Sequence, residues 1–536
     1  MAILKNSLIV SVWTSVSRGL GFARDLLIAN KLGAGLASDA FFVALMLPNL
    51  LRRLFAEGAF NVAFIPILAR HKAASEAEAL HFASVVLSWL TVIVSAVVVV
   101  GILCMPQLML ILAGGWADQP EKFNYAVELA RITFPYLGLI TIASFLGALC
   151  NTWGKFAAYA MVPALLNLSI IGALFVLPWG GAHPAEAAAW AVPLGGVLQV
   201  AYMAWSARRL GLRLTFGWLP QHEDLHKLLL RLGPALLGVG VLQLAVIVDT
   251  VVASYLPDGA VSYLQNANRF YQAPLALIGI AVATVLLPHL AVLLGKGAKA
   301  DATQSFTAAL SACLAIACGS MVLFFCLAAP LMDVLLRHGA MTPFAAQMIA
   351  YAMMGYVAGL PGYILTKITA PAFFAAEDPL SPVKASAAGL GVNLALNIIF
   401  VLVAFRLGLE AYAHIGIAVA TAVGGYVNAG LQWYWLSRKG VLALNTRHLL
   451  RELRTMALLV LATGAVLVLW QWLLPYQREA LWLYRAAWLV AAGALGGAVF
   501  LVGLEYSGLL KLRSFLKALR QRKRVKLAGA DSATAD

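Results

Sequence analysis

Runs of roughly twenty apolar residues recur along the whole chain, each long enough to cross a bilayer as a helix. A water-soluble fold cannot hide that much apolar surface. Only 11% of the residues are charged, against roughly 25% in a soluble domain. Fourteen spans can be placed, at 5–30, 38–68, 82–113, 124–150, 156–178, 186–206, 229–254, 261–294, 305–335, 344–375, 384–405, 412–436, 450–474 and 482–507. The expected fold class is therefore an all-α polytopic membrane protein. The N-terminus does not read as a cleaved signal, because Arg18, Arg24 and Asp25 fall where an apolar segment should continue.

Charge sets the expected orientation. With the N-terminus inside, the inner loops hold Arg70, Lys72, Lys155, Arg208, Arg209, Arg213, Lys227, Lys296, Lys299, Arg438, Lys439 and Arg447. The outer loops hold only Lys31, Lys122, Arg337, Arg406 and Arg478. This asymmetry predicts an even number of spans with both termini cytoplasmic. Most of the net charge of +15 is then membrane-surface charge. The basic run 511–526, KLRSFLKALRQRKRVK, reads as an interfacial amphipathic helix drawn to anionic membrane lipids. No nucleic-acid module accompanies it, so nucleic acid is not an expected partner. The closing AGADSATAD has the composition of a disordered tail.

Twelve spans divide into two sets of six at the long inner loop 207–228. FIPILARHK (64–72) and LLPHLAVLLGK (286–296) end corresponding spans, with Pro66 and Pro288 in matching places. The turns before those spans also match, GAGLASD at 33–39 and PDGAVSY at 257–263. Together these likenesses predict two six-helix lobes around a central cavity, with two extra C-terminal helices. The boundaries are 1–215 for the first lobe, 216–440 for the second, 441–510 for helices 13 and 14, and 511–536 for a basic cytoplasmic tail.

Charges inside the spans are the informative residues, because each costs about 2.5–3.5 kcal/mol at a helix centre on insertion scales. Arg18, Arg24, Arg52 and Arg53 lie in the first two spans. Asn49, Arg52, Arg53 and Glu57 form one polar stripe at helical spacing. Arg269 stands in span 8, from the other half. Guanidinium stays charged and grips phosphate oxygens in a two-pronged fork, so a diphosphate is the natural partner for several at once. The bland alternative is local pairing, Arg18 with Asp25 and Arg53 with Glu57. Arg53, Arg131 and Lys367 fit that structural role better than the cavity. Basic groups outnumber acids in the first half, so local pairing cannot neutralise them all.

Asp249 stands alone in LAVIVDTVVAS. Asn393 and Asn397 share a face of span 11, and Thr421 lies in span 12. These oxygens could form a Na⁺ site or an interhelical hydrogen-bond cluster. Neither a Walker A loop, a nucleophile elbow nor a metal-ligand pair is present, so no enzyme and no cofactor is expected beyond Na⁺ as a candidate coupling ion. The five cysteines all lie in apolar spans without metal-ligand spacing.

The strings SRGLGFARD (17–25) and SDAFFVALMLPNLLRRLFAEGAFNVAFIPILA (38–69) resemble the MurJ/MviN family of bacterial lipid II flippases. ITFPYLGLITIASFLGALCNTW (132–153), LLNLSIIG (165–172), GPALLGV (233–239) and LLPHLA (286–291) extend the resemblance. It implies the multidrug/oligosaccharidyl-lipid/polysaccharide exporter fold with fourteen transmembrane helices and a groove at helices 13–14 for the isoprenoid tail. It implies flipping of undecaprenyl-diphosphate-linked peptidoglycan precursor across the bacterial inner membrane, by alternating access, for cell-wall synthesis. The implied partners are lipid II, membrane lipids and the cell-wall synthesis machinery. The implied cavity residues are Arg18, Arg24, Arg52, Arg269, Asp39, Asn49 and Glu57, and Asp249, Asn393, Asn397 and Thr421 resemble the family's Na⁺ site. Met46 and Asn268 depart from the charges some members carry there, and Asn397 stands where an acid can occur. Alternatives are a flippase for another lipid-linked oligosaccharide, a cation-coupled drug exporter of the same fold, which would favour acidic or apolar cavities, and a non-transporting scaffold of the envelope machinery.

Overall fold

The computed structural model describes residues 2–52, 60–176, 181, 183–217, 222–275 and 281–509. Every regular element among them is a helix. The physical reason is the solvent: in hydrocarbon a backbone amide finds no water, so each span must bond to itself. Nine helices among the described residues are long and apolar enough to cross a membrane, and a bent pair makes a tenth.

The remaining expected spans are helical too in their described parts. The helix Ala2–Leu32 carries Arg18, Arg24 and Asp25. Leu36–Arg52 and Phe60–Ala74 belong to the second expected span, and Ala260–Pro274 with Ala281–Gly295 to the eighth. Glu223–Ala253 is the seventh. Arg53, Glu57 and the basic run 511–526 lie outside the described residues.

Three spans that read as continuous are broken in the structure. Glu76–Leu103 gives way at Cys104 to the short helix Met105–Leu112, with Pro106 in its first turn. Lys299–Cys326 gives way at Leu327 to Ala328–Leu336 in the same manner, with Pro330 near its start. Pro343–Ala358 and Leu360–Ala375 meet at Gly359 with a bend of 41°. Pro361 follows at once, and a proline cannot donate its backbone bond to the preceding turn.

The chain forms two compact units. The first comprises Met1–Asn266 with Leu335–Met348 and Leu396–Ile417; the second comprises Ala267–Val334, Ile349–Ala395 and the chain from Ala418 onward. In the first unit Phe60, Phe64, Phe82 and Phe145 make one aromatic cluster, with ring centroids 5.0–6.1 Å apart. Gly33 and Gly339, both with positive φ, let the segment 338–340 close on Asn30, whose carbonyl accepts from the Ala340 amide at 2.7 Å. At the helix ends Arg70 and Lys227 both donate to Asp224, and His71 Nδ1 lies 2.7 Å from Glu78.

The second unit packs helices through small residues, as bilayer-embedded bundles do. Gly389 and Gly424 face each other so closely that a Cβ on either would stand 2.6–2.7 Å from the other's carbonyl oxygen. The Arg485 guanidinium and the Tyr476 hydroxyl both donate to the buried Asp333 carboxylate, at 2.8 and 2.7 Å. Asp378, in the loop before Leu380–Arg406, accepts from Lys439 and from the Ser381 hydroxyl and amide. Burial alone would raise its pKa, but the Lys439 and Ser381 hydrogen bonds outweigh that and hold it below its ordinary value of 3.8.

Two tests follow from this packing. Gly389→Val should lower the unfolding midpoint of the detergent-solubilised protein by the equivalent of about 1–3 kcal/mol, the usual cost of overpacking, and Gly424→Val should do the same. A depressed carboxyl stabilises fully above its unfolded value and ceases to do so as pH falls through the folded one. Acidification below about pH 4 should therefore destabilise the native protein more than Asp378→Asn, measured by thermal unfolding across a pH series.

Candidate functional site

Asp39 sits in the first turn of Leu36–Arg52 and is 1% exposed. Its carboxylate is saturated. Oδ1 accepts from the Ser262 amide at 2.9 Å and the Ser262 hydroxyl at 2.6 Å. Oδ2 accepts from Lys122 Nζ at 3.0 Å and the Gly259 amide at 2.8 Å. Gly259 and Ser262 flank the start of Ala260–Pro274, whose first-turn amides lack intrahelical partners. Asp39 thus caps that helix with an anion at its positive end.

The two turns with matching sequences meet here. Ser38 of GAGLASD and Ser262 of PDGAVSY occupy equivalent places, and their hydroxyl oxygens lie 2.8 Å apart. Lys122 completes the cluster: its ammonium lies 2.6 Å from Asp258 and 4.4 Å from the Trp116 ring centre. Sequence reading counted Lys122 as a loop cation and missed it as the partner of Asp39. The two are 83 residues apart, so no local spacing could have revealed the pair.

The arginines are arranged differently. Arg24 donates to Asp25 through Nε at 3.0 Å and Nη2 at 2.6 Å, and to Asn167 through Nη1 at 2.8 Å. Asn167 in turn donates to the Ser17 carbonyl. Of the local pairings weighed from sequence, Arg18 with Asp25 is not seen among the described residues; Asp25 pairs with its neighbour Arg24. Arg18 is exposed and lines a cavity of about 910 Å³ with Ser11, Thr14, Ser17, Asn151 and Tyr159. Arg52 closes the described part of its helix, and both it and Asn49 are half-buried. Arg269 is exposed on Ala260–Pro274. Arg18, Arg24 and Arg52 belong to the first unit and Arg269 to the second.

The ion-site candidates form two pairs. Asn397 donates to Asp249 at 2.8 Å in the first unit. Asn393 donates to Thr421 at 3.1 Å in the second. Asn393 and Asn397 lie one turn apart on Leu380–Arg406, 3% and 0% exposed. A carboxylate, amide oxygens and a hydroxyl are the hard oxygen donors that suit Na⁺. His71, His222 and Asp224 are the one group with metal-ligand proximity among the described residues. Two cations, Arg70 and Lys227, already hold its carboxylate, which disfavours a further positive ion there.

Comparison with known proteins places this arrangement. An inward-facing multidrug resistance MATE family transporter of the MOP superfamily superposes with TM-score 0.64 over 81% of this chain and 98% of its own, at 16% identity, a likeness of fold alone. The class is therefore a multi-pass helical membrane protein whose fold resembles that structure's. A MurJ structure, "Lipid II flippase MurJ, inward closed conformation", superposes with TM-score 0.77 at 25% identity, over 93% of this chain and 98% of that one. The family model described as "Lipid II flippase MurJ" matches residues 28–483. A probable lipid II flippase MurJ of Vibrio cholerae is 32% identical over 94% of this chain and 96% of its own. The lipid II flippase MurJ of Burkholderia cenocepacia is 35% identical over 82% and 85%. The chain belongs to the lipid II flippase MurJ family.

Breaking one side of a buried pair typically costs about 3–5 kcal/mol. Asp39→Ala and Lys122→Met should each destabilise on that scale. The double variant should cost less than their sum by at least about 0.5 kcal/mol, as read from unfolding in detergent.

Proposed function

We propose that this protein carries lipid II, the undecaprenyl-diphosphate-linked peptidoglycan precursor, from the inner to the outer leaflet of the bacterial cytoplasmic membrane. It is a transporter and catalyses no chemical step. Membership of the MurJ family carries this reading, and the Arg18-lined cavity supplies a fitting chemistry. The diphosphate needs several permanent cations, and guanidinium groups keep their charge where a lysine could lose it. Arg18, Arg24, Arg52 and Arg269 hold the headgroup, with Asn49 and Glu57 beside them. The isoprenoid tail stays in lipid along helices 13–14.

In this reading the fourteen spans form two six-helix lobes and a C-terminal pair, with both termini cytoplasmic. The lobes rock about the bound headgroup. The Asp39–Lys122–Ser262 cluster closes the outer end, which explains why its carboxylate is saturated by protein. Opening requires that those bonds be replaced by water. Na⁺ at Asp249, Asn397, Asn393 and Thr421 would reset the cycle, with Asn397 turning its oxygen toward the ion. Moving the arginines through the field couples the cycle to membrane potential, worth about 2.3 kcal/mol per charge per 100 mV. A cation-coupled drug exporter would want an acidic cavity, whereas the charged residue lining this one is Arg18.

Depletion in living cells tests the reading. Loss of the protein should abolish lipid II accessible on the outer face. Native protein should restore it, while Arg18→Ala and Arg52→Ala proteins that reach the membrane should fall to background. Full rescue by both variants would refute the arginine site. In binding assays lipid II should be preferred to O-antigen and teichoic-acid precursors.

A further inference from the structure

The helices Lys299–Cys326 and Thr446–Leu473 enclose a cavity of about 550 Å³. It lies wholly within the second unit and shares none of the arginine-site residues. Its polar lining includes Thr303, Gln304, Thr307, Ser311, Asn445, His448 and Glu452, within about four turns of the two helix starts. Glu452 is only 9% exposed.

Among the described residues the Glu452 carboxylate is under-supplied with donors. Its hydrogen bonds come from one hydroxyl, Ser311 Oγ, which lies 2.8 Å from Oε1 and 2.7 Å from Oε2. That hydroxyl has one proton, and the Thr307 carbonyl 2.9 Å away competes for it. A carboxylate offers about four acceptor sites, so at most one is filled from Ser311. His448 Nδ1 stands 3.6 Å away, too far for a hydrogen bond. Asn445 Oδ1 is committed: it caps the helix by accepting from the His448 amide. Trp433 also lines the cavity, and its buried Nε1 donor has no hydrogen-bond partner among the described residues. The lining therefore offers an anion short of donors and a donor short of an acceptor.

A ligand that satisfies both is a zwitterion with a compact, hydrogen-bonding cation. An ammonium group has three donors, enough for both carboxylate oxygens at once. A neighbouring phosphate would accept from Trp433 Nε1, and the Glu452 helix also carries the exposed Arg447, Arg451 and Arg454. A divalent metal is a poorer match, since only one carboxylate and no second anion lines the cavity. We propose that this cavity binds a primary ammonium group with Glu452 as its counter-ion, the amine being an aminophospholipid headgroup or a free amine.

The test uses the full chain in detergent, with thermal unfolding read against added phosphatidylethanolamine, phosphatidylcholine or phosphatidylglycerol, and in a separate arm free ethanolamine. Phosphatidylethanolamine should raise the midpoint and phosphatidylcholine, whose quaternary nitrogen has no N–H, should not. Glu452→Gln should weaken the apparent phosphatidylethanolamine affinity about tenfold or more. A response to ethanolamine equal to that of the lipid identifies a free amine as the source; a response to the lipid alone identifies the headgroup. Equal stabilisation by the ethanolamine and choline lipids, with no effect of free ethanolamine, overturns the proposal. So does a Glu452→Gln protein that keeps the full preference. Should that variant not fold, the lipid contrast on the native chain decides.

Discussion

A peptide group in hydrocarbon has no water to bond, and that single restriction organises this molecule. It makes every regular element among the described residues a helix. It also changes what holds helices together, since lipid tails are as apolar as leucine and burying leucine gains little. What remains is close packing and polar contact. The Gly389–Gly424 approach supplies the first, and the Arg485–Asp333–Tyr476 cluster the second.

The same restriction governs charge. A carboxylate as buried as Asp39 persists only with a full complement of donors. It has four: an ammonium, two amides and a hydroxyl. Because the amides belong to the start of another helix, neutralising the charge also fixes where that helix begins. Two turns of like sequence meet at this point, with Ser38 against Ser262. A contact built from polar bonds is also one whose bonds water can replace. An apolar seam would lack that reversibility.

Hydropathy placed the helices well but not their interruptions. Glu76–Leu103, Phe156–Val176 and Trp482–Ser507 are plain apolar helices. Apolar windows were blind to interruptions: Met105–Leu112 and Ala328–Leu336 read as continuations of their spans. Pro106, Pro330 and the Gly359–Pro361 pair were the available signals. Within the site, Arg24 was legible as an intramembrane cation, but its partners Asp25 and Asn167 were not, because rotamer and a helix 143 residues away select them.

From sequence alone followed the membrane class, the helical fold, the intramembrane arginines and the family they resemble. These depend on which residues stand beside one another along the chain, since hydrophobicity and helical spacing are local properties. Tertiary structure alone decided which charge neutralises which. Asp39 finds Lys122 83 residues away and Ser262 at 223, and the Asp249 carboxylate meets Asn397 across 148. A charge can be satisfied by any donor that folding brings within reach, and local sequence does not say which donor arrives.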